Sequence, residues 1–190
     1  MIKAIIFDCF GVLAGDGWLP FKREHFGHNP ELFEQAGDLN KQVDAGLADY
    51  DEFIAKVAKL AHVPEQEART QIEDNPPHRQ LFAYIATELK PSYKIGMLSN
   101  AGANWLSELF SAEQIALFDA FALSYETGVV KPEPRAYHII AERLGIKPDE
   151  CVLVDDQARY CVAARDAGMQ AIEFKSFEQL RADLEKILAK

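Results

Sequence analysis

The chain has 190 residues, 48% of them hydrophobic, so it is long enough to bury a core and is not predicted to be disordered. Its 20 basic and 30 acidic side chains give a net charge of −10, which argues against nucleic acid or an anionic membrane surface as a partner. No apolar run reaches the roughly 18 residues of a membrane span, and the short apolar N-terminus is not expected to be a signal peptide. The three cysteines, Cys9, Cys151 and Cys161, fit neither a disulfide framework nor a zinc pattern, so we expect a cytoplasmic location.

Five short apolar runs predict the strands of a parallel sheet that is buried on both faces. They are Ile2–Phe7, Tyr93–Leu98, Ala120–Leu123, Cys151–Val154 and Gln170–Phe174. Helical periods follow the later runs, at Pro134–Leu144, Ala158–Ala167 and Ser176–Leu188. Because strands and helices alternate, the fold class predicted is α/β, with a Rossmann-like, doubly wound parallel sheet.

Residues 15–88 interrupt this alternation, because they contain helical patterns without a strand signal. The predicted helices are Pro30–Val43, Tyr50–Ala61, Pro64–Glu73 and His78–Leu89. We therefore predict an α/β core domain of residues 1–14 and 89–190, with a helical cap of residues 15–88 inserted after the first strand. Trp18, Leu19, Phe21 and Phe26 form an aromatic and apolar cluster that is expected to pack within this cap.

Polar side chains follow three of the predicted strands, at the point where each strand ends. Asp8 follows the first, Ser99 and Asn100 the second, and Asp155 and Asp156 a later one. Ligands of open α/β sheets bind beyond the carboxyl ends of the strands. These side chains are therefore expected to face one crevice.

The residue types in this crevice suit phosphoryl transfer. Clustered carboxylates repel one another unless a cation balances them, and oxygen ligands with room for water suit Mg²⁺. Lys131, in a loop, adds a positive charge, while Ser99 and the Asn100 amide can donate hydrogen bonds to phosphoryl oxygens. Asp8 is then the predicted nucleophile, and its attack on phosphorus gives an aspartyl-phosphate.

Four motifs in this order resemble those of the haloacid dehalogenase-like (HAD) hydrolase superfamily. They are Asp8–Leu13, Leu98–Asn100, Lys131–Pro134 and Val154–Asp156, and the resemblance extends over the whole chain. The insertion after the first motif is similar to the family's helical type-one cap. The stretch Gly128–Tyr137 resembles the branch that contains bacterial glucose-1-phosphate phosphatases and the N-terminal phosphatase domain of soluble epoxide hydrolases.

The resemblance implies a role for each matching residue. Asp8 matches the nucleophile, which is also a Mg²⁺ ligand, and the backbone carbonyl of Phe10 matches a second ligand. Asp156 matches a direct ligand, and Asp155 one that acts through water. The groups implied to bind the phosphate are Ser99, Asn100 and Lys131, and Lys131 is also implied in catalysis.

Phe10 departs from the pattern of the family's phosphatases, which usually carry a second Asp at this position. That Asp protonates the leaving group and activates water, and losing such a group costs roughly 10²- to 10⁴-fold in rate. Phosphate esters with good leaving groups should then be favoured, unless another residue such as Asp16 supplies the proton. Tyr160 is a smaller departure, because related members often have Asn or Asp there.

The prediction is a Mg²⁺-dependent phosphatase that hydrolyses a small phosphate ester, with sugar phosphates among the candidates. One alternative is a metal-independent 2-haloacid dehalogenase, since Phe10 resembles an aromatic residue of those enzymes. The other is a non-catalytic phosphate-binding protein that lost its catalytic activity because Phe10 replaces the acidic residue. The partner expected is a small phosphorylated metabolite, bound by a monomer or homodimer.

Overall fold

The computed structural model describes residues 1–189 and places a five-stranded parallel sheet at the centre of the molecule. The strands are β1 Ala4–Phe7, β2 Lys94–Ser99, β3 Ala120–Leu123, β4 Cys151–Asp155 and β5 Gln170–Glu173. Their order is β3-β2-β1-β4-β5, and every neighbouring pair is parallel. The predicted α/β fold class is therefore confirmed.

Helices cover both faces of this sheet because side chains alternate along each strand. Ile5 and Phe7 pack on one face, whereas Ala4 and Ile6 pack on the other. The helices outside the cap region are α5 Arg79–Tyr84, extended by a π-helical turn Ile85–Leu89, then α6 Leu106–Leu109, α7 Ala112–Ile115, α8 Ser124–Thr127, α9 Pro134–Leu144, α10 Ala158–Asp166 and α11 Phe177–Leu188.

Four helices of the insertion form a separate apolar cluster. They are α1 Trp18–Phe26, α2 Pro30–Asp44, α3 Tyr50–Ala61 and α4 Glu65–Ile72. The side chains of Asn29 and Asp49 accept hydrogen bonds from the first backbone N–H groups of α2 and α3 and so fix where these helices begin. The sequence did not predict α1, although its buried Phe21 and Phe26 pack in this cluster as expected.

Helix α5 packs with the sheet, although the sequence assigned it to the cap. Its residues Leu81 and Phe82 share an apolar cluster with Ile5 of β1. The chain returns to the core just before α5, where the N–H of His78 donates to the carbonyl of Leu13 at 2.8 Å. The chain therefore packs against the sheet from about residue 78 onward, before the predicted boundary at residue 89. The division into a core and a cap remains a prediction.

The strand register aligns the carboxyl ends of the central strands. Phe7 of β1 pairs with Met97 on one side and with Val154 on the other. The residues that follow these positions therefore meet at one edge of the sheet. Within residues 1–189, no helix is both long enough and apolar enough to cross a membrane.

Candidate active site

The ammonium of Lys131 lies between two buried carboxylates at this edge of the sheet. Its Nζ is 2.8 Å from Oδ1 of Asp8 and 2.6 Å from Oδ2 of Asp155. All three side chains are less than a tenth exposed. The Oδ1 atom of Asp8 also accepts a hydrogen bond from the N–H of Cys9 at 2.7 Å. Both hydrogen bonds thus fall on one oxygen, and Oδ2 is left without one among residues 1–189.

Asn100 fixes the backbone of Lys131. The N–H of Lys131 donates to the Asn100 Oδ1 at 2.7 Å, and the Asn100 Nδ2 donates back to the carbonyl of Lys131 at 3.1 Å. The side-chain amide predicted to bind phosphate is therefore engaged within the protein. This pair of hydrogen bonds positions the Lys131 backbone, and the role of Asn100 in phosphate binding stays a prediction.

Tyr160, at the start of α10, borders the same ammonium. The Nζ of Lys131 lies 4.8 Å from the centre of the Tyr160 ring, and Arg159 stacks over the ring at 4.6 Å. Arg159 also donates to the Tyr160 hydroxyl at 2.9 Å. The sequence singled out Tyr160 only as a departure from the family pattern, so its cation–π contact is a new finding.

Asp8, Asp155 and Asp156 form a cluster that could hold a metal ion. One carboxylate oxygen from each lies within 4.8 Å of the others. Oδ1 of Asp156 is buried and has no hydrogen-bond partner among the described residues, whereas both oxygens of Asp155 are bonded, to Lys131 and to the N–H of Gln157. Of Asp155 and Asp156, it is therefore Asp156 that keeps a buried oxygen free of hydrogen bonds within residues 1–189.

The backbone of Gly11 passes close to the carboxylate of Asp156. Gly11 has a φ of +82°, and a Cβ atom there would lie 2.7 Å from Oδ2 of Asp156. Only glycine fits this approach without displacing the carboxylate. The backbone carbonyl of Phe10, just before it, accepts no hydrogen bond from residues 1–189. Oxygen donors of this kind suit a hard divalent cation.

Burial perturbs the titration of these groups. It raises the pKa of Asp8 well above its usual range, although Lys131 acts in the opposite direction. Burial and the neighbouring Asp155 raise the pKa of Asp156 to about 6. Burial alone would lower the pKa of Lys131, but Asp8 and Asp155 outweigh it and raise that pKa. Three carboxyl groups facing one ammonium leave an excess of negative charge that a divalent cation would balance.

A cleft of about 800 Å³, including its open mouth, lies between these residues and the cap. Aromatic side chains form much of its wall: Phe10, Trp18, Tyr50 and Trp105. The ring of Trp105 meets that of Phe10 edge to face at 6.1 Å, and its Nε1 is buried without a partner among the described residues. Ser99 also lines the cleft, and within residues 1–189 its hydroxyl makes only a long contact of 3.4 Å with the carbonyl of Asn100.

The cap contributes two carboxyl groups to the cleft, Asp16 and Asp44. Burial raises the pKa of Asp16, whose Oδ1 accepts a hydrogen bond from the N–H of Leu19 at 3.1 Å. Asp44 was not identified from the sequence, because it lies at the end of an ordinary amphipathic helix and is not part of a recognisable motif. Five predicted site residues line this cleft (Asp8, Phe10, Ser99, Asn100 and Lys131), and Asp155 and Asp156 lie beside Asp8. Their individual roles remain predictions.

Several known proteins are similar to this chain in sequence. The family model for haloacid dehalogenase-like hydrolases matches residues 2–168. The chain is 26% identical to the putative phosphatase YhcW of Bacillus subtilis, over 90% of this chain and 83% of that protein. It is 30% identical to the phosphatase MT3486 of Mycobacterium tuberculosis, over 90% of this chain and 86% of that one.

A solved structure shares the fold. A HAD family enzyme from Bacteroides thetaiotaomicron, in complex with magnesium and inorganic phosphate, superimposes with a TM-score of 0.69 at 24% identity. The match covers 95% of this chain and 99% of that one.

Proposed function

Since this chain belongs to the haloacid dehalogenase-like hydrolase family, we propose that it is a Mg²⁺-dependent phosphatase acting on small phosphate esters. The observation that carries the proposal is the placement of Asp8. Its carboxylate contacts the buried ammonium of Lys131, and one of its oxygens lies within 4.8 Å of an oxygen from each of Asp155 and Asp156. The relatives named as phosphatases support the same reaction class.

The residues that would hold Mg²⁺ are Asp8, Asp156 and the backbone carbonyl of Phe10, with Asp155 acting through water. Asp156 is the proposed direct ligand because its Oδ1 is free, whereas both oxygens of Asp155 are bonded by the protein. The cation, when bound, supplies positive charge that offsets the carboxylates and the phosphoryl oxygens. The magnesium and phosphate bound to the Bacteroides enzyme support this choice of metal.

Asp8 is the proposed nucleophile, and Oδ2 is its attacking oxygen because Oδ1 is held by Lys131 and by the N–H of Cys9. The Oδ2–phosphorus bond forms as the bond from phosphorus to the ester oxygen breaks, which gives an aspartyl-phosphate. Water then releases phosphate and restores Asp8. Lys131 stabilises the charge on the phosphoryl oxygens, and the Ser99 hydroxyl is free to donate to one of them.

The cleft supports a leaving group that combines an apolar face with hydroxyl groups. Aromatic rings form one wall, and the buried indole N–H of Trp105 has no hydrogen-bond partner among the described residues. A sugar ring matches both the aromatic wall and the indole donor, since its C–H face stacks on aromatic rings and its hydroxyls accept hydrogen bonds. Sugar phosphates are therefore the proposed substrates within this class.

Hydrolysis of p-nitrophenyl phosphate, measured with and without Mg²⁺, tests the proposal. We expect turnover that requires the metal and falls at least about 10³-fold in Asp8→Asn, which removes the nucleophile. Glu178→Gln, on the surface helix α11, is a matched control that should retain full activity. Chloride release from a 2-haloacid without Mg²⁺ would favour the dehalogenase. Tight phosphate binding without turnover would favour the non-catalytic protein. Either result would overturn the proposal.

A further inference from the structure

The proposed reaction requires a proton for the departing ester oxygen, and Phe10 cannot supply it. Any substitute must line the cleft that also contains Asp8 and Lys131, and it must be able to hold a proton near neutral pH. The side chains of Asp44 and Asp16 are the two carboxyl groups that the cap brings to this cleft. The inference below rests on the proposed function and assigns the proton donor.

The core holds the backbone of Asp44 in place. Helix α2 ends at Asp44, and the hydroxyl of Ser124 donates to the Asp44 backbone carbonyl. The same Ser124 oxygen accepts a hydrogen bond from the N–H of Ala101 at 2.8 Å. Val43 lies so close to Gly102 that a Cβ there would be 2.5 Å from the Val43 carbonyl oxygen. The end of α2 is thereby fixed against the loop that follows β2, beside Ser99 and Asn100.

The carboxyl group of Asp44 has one fixed oxygen. Its Oδ2 accepts a hydrogen bond from Nδ2 of Asn40 at 3.0 Å, one helical turn earlier. No other hydrogen bond to this carboxyl group occurs within residues 1–189. The remaining oxygen is therefore available to a ligand in the cleft, and Asn40 determines how the group is oriented.

The charges that face Asp44 come from three parts of the molecule. They are Lys131 in the core loop, Asp16 in the cap and Arg159 on α10. Burial raises the pKa of Asp44 to about 7, with Lys131 acting against the shift and Asp16 adding to it. A proton donor with a pKa near the working pH is the most effective kind.

Asp16 is less suited to the same task. Its Oδ1 accepts a hydrogen bond from the N–H of Leu19 in the first turn of α1, so the carboxylate acts as an anchor for that helix. This backbone hydrogen bond favours the charged form of Asp16 and so opposes the rise in its pKa that burial causes. The Asp44 carboxyl group, in contrast, has the Asn40 amide as its only hydrogen-bond partner in the described part of the chain.

We propose that Asp44 protonates the leaving-group oxygen during attack by Asp8. As the bond from Oδ2 of Asp8 to phosphorus forms and the ester bond breaks, the Asp44 proton moves to the departing oxygen. The products are the neutral alcohol, the aspartyl-phosphate and the Asp44 carboxylate. In the second step the carboxylate takes a proton from the water that attacks phosphorus, and so returns to its starting state.

A series of substituted phenyl phosphates tests this assignment, because proton donation matters most for poor leaving groups. Wild type and Asp44→Asn are compared on p-nitrophenyl phosphate, a good leaving group, and on phenyl phosphate, a poor one. We expect Asp44→Asn to lower kcat/KM for phenyl phosphate by about 10²-fold or more and for p-nitrophenyl phosphate by less than about tenfold. Asp38→Asn, an exposed position on the same helix, is the matched control and should match wild type on both. Asp16→Asn should lower both rates by a similar factor.

The pH profile gives a second readout that a purely structural role would not change. In the wild type, kcat/KM for phenyl phosphate should fall as the pH rises through about 7, and this limb should be absent in Asp44→Asn. Equal losses on the two substrates, or an unchanged pH limb, would overturn the role of Asp44 while leaving the phosphatase intact. If wild type hydrolysed p-nitrophenyl phosphate but not phenyl phosphate, the role of Asp44 would also be overturned while the phosphatase would stand. A wild type inactive on p-nitrophenyl phosphate would instead overturn the proposed function and this inference with it.

Discussion

Replacing Lys131 with methionine removes the ammonium that lies 2.8 Å from Asp8 and 2.6 Å from Asp155, while it keeps a side chain of similar length. The Lys131 side chain is only 1% exposed, so solvent cannot compensate for the lost charge. Breaking a buried ion pair from one side costs about 3–5 kcal/mol, because the partner charge stays buried. For a chain of this size, each kcal/mol lowers Tm by about 2–4 °C, so Tm should fall by roughly 6–20 °C.

The assay is thermal and urea unfolding of both proteins in a buffer with a metal chelator, since a bound cation would offset part of the lost stability. Lys175→Met is the matched control, because Lys175 is 69% exposed and pairs with Glu173 at 3.8 Å. An exposed pair of this kind contributes less than about 1 kcal/mol. The double variant Lys131→Met with Asp8→Asn should recover about 1–3 kcal/mol of the loss, because it removes one of the unpaired carboxylates. A loss below about 1 kcal/mol, or one that Asp8→Asn does not reduce, would refute the reasoning.

Two further predictions concern Gly11 and Asp44. In Gly11→Ala, the new Cβ would lie 2.7 Å from Oδ2 of Asp156, and residue 11 has a φ of +82°. We therefore expect the Mg²⁺ concentration needed for half-maximal activity, measured by metal titration, to rise at least about tenfold. An unchanged titration would contradict the proposed role of Asp156. Burial raises the pKa of Asp44 to about 7, so wild type should lose more stability than Asp44→Asn as the pH rises from about 4 through 7. Melting curves should therefore find Asp44→Asn more stable than wild type at pH 8 and no more stable at pH 5, and a difference independent of pH would argue that Asp44 is not buried as described.

The strand-end residues were predictable because a parallel sheet brings distant stretches of sequence to one edge. Asp8, Ser99 and Asp155 each follow a short apolar run, and the register of β1 with β2 and β4 aligns those ends. Helix α9 was predicted with its observed bounds, because its apolar period ends at Gly145, which caps the helix.

Other features depend on packing between residues far apart in the sequence. Asp44 reaches the cleft only because Ser124 and Gly102 hold the end of α2, and no local pattern encodes that contact. Helix α1 carries its apolar side chains next to a proline, Pro20, which hides its period. The two hydrogen bonds between the Asn100 side chain and the Lys131 backbone likewise join residues 31 positions apart, so no local pattern predicts them.

The paired hydrogen bonds between Asn100 and the Lys131 backbone have an entropic consequence. A lysine side chain carries about 2 kcal/mol of rotamer entropy, which is lost wherever the side chain becomes fixed. Here the backbone is held by Asn100 and the ammonium by Asp8 and Asp155 before any substrate arrives. The entropy cost of ordering Lys131 therefore lowers the free energy of unfolding, and the binding of a phosphate ester does not have to immobilise this side chain.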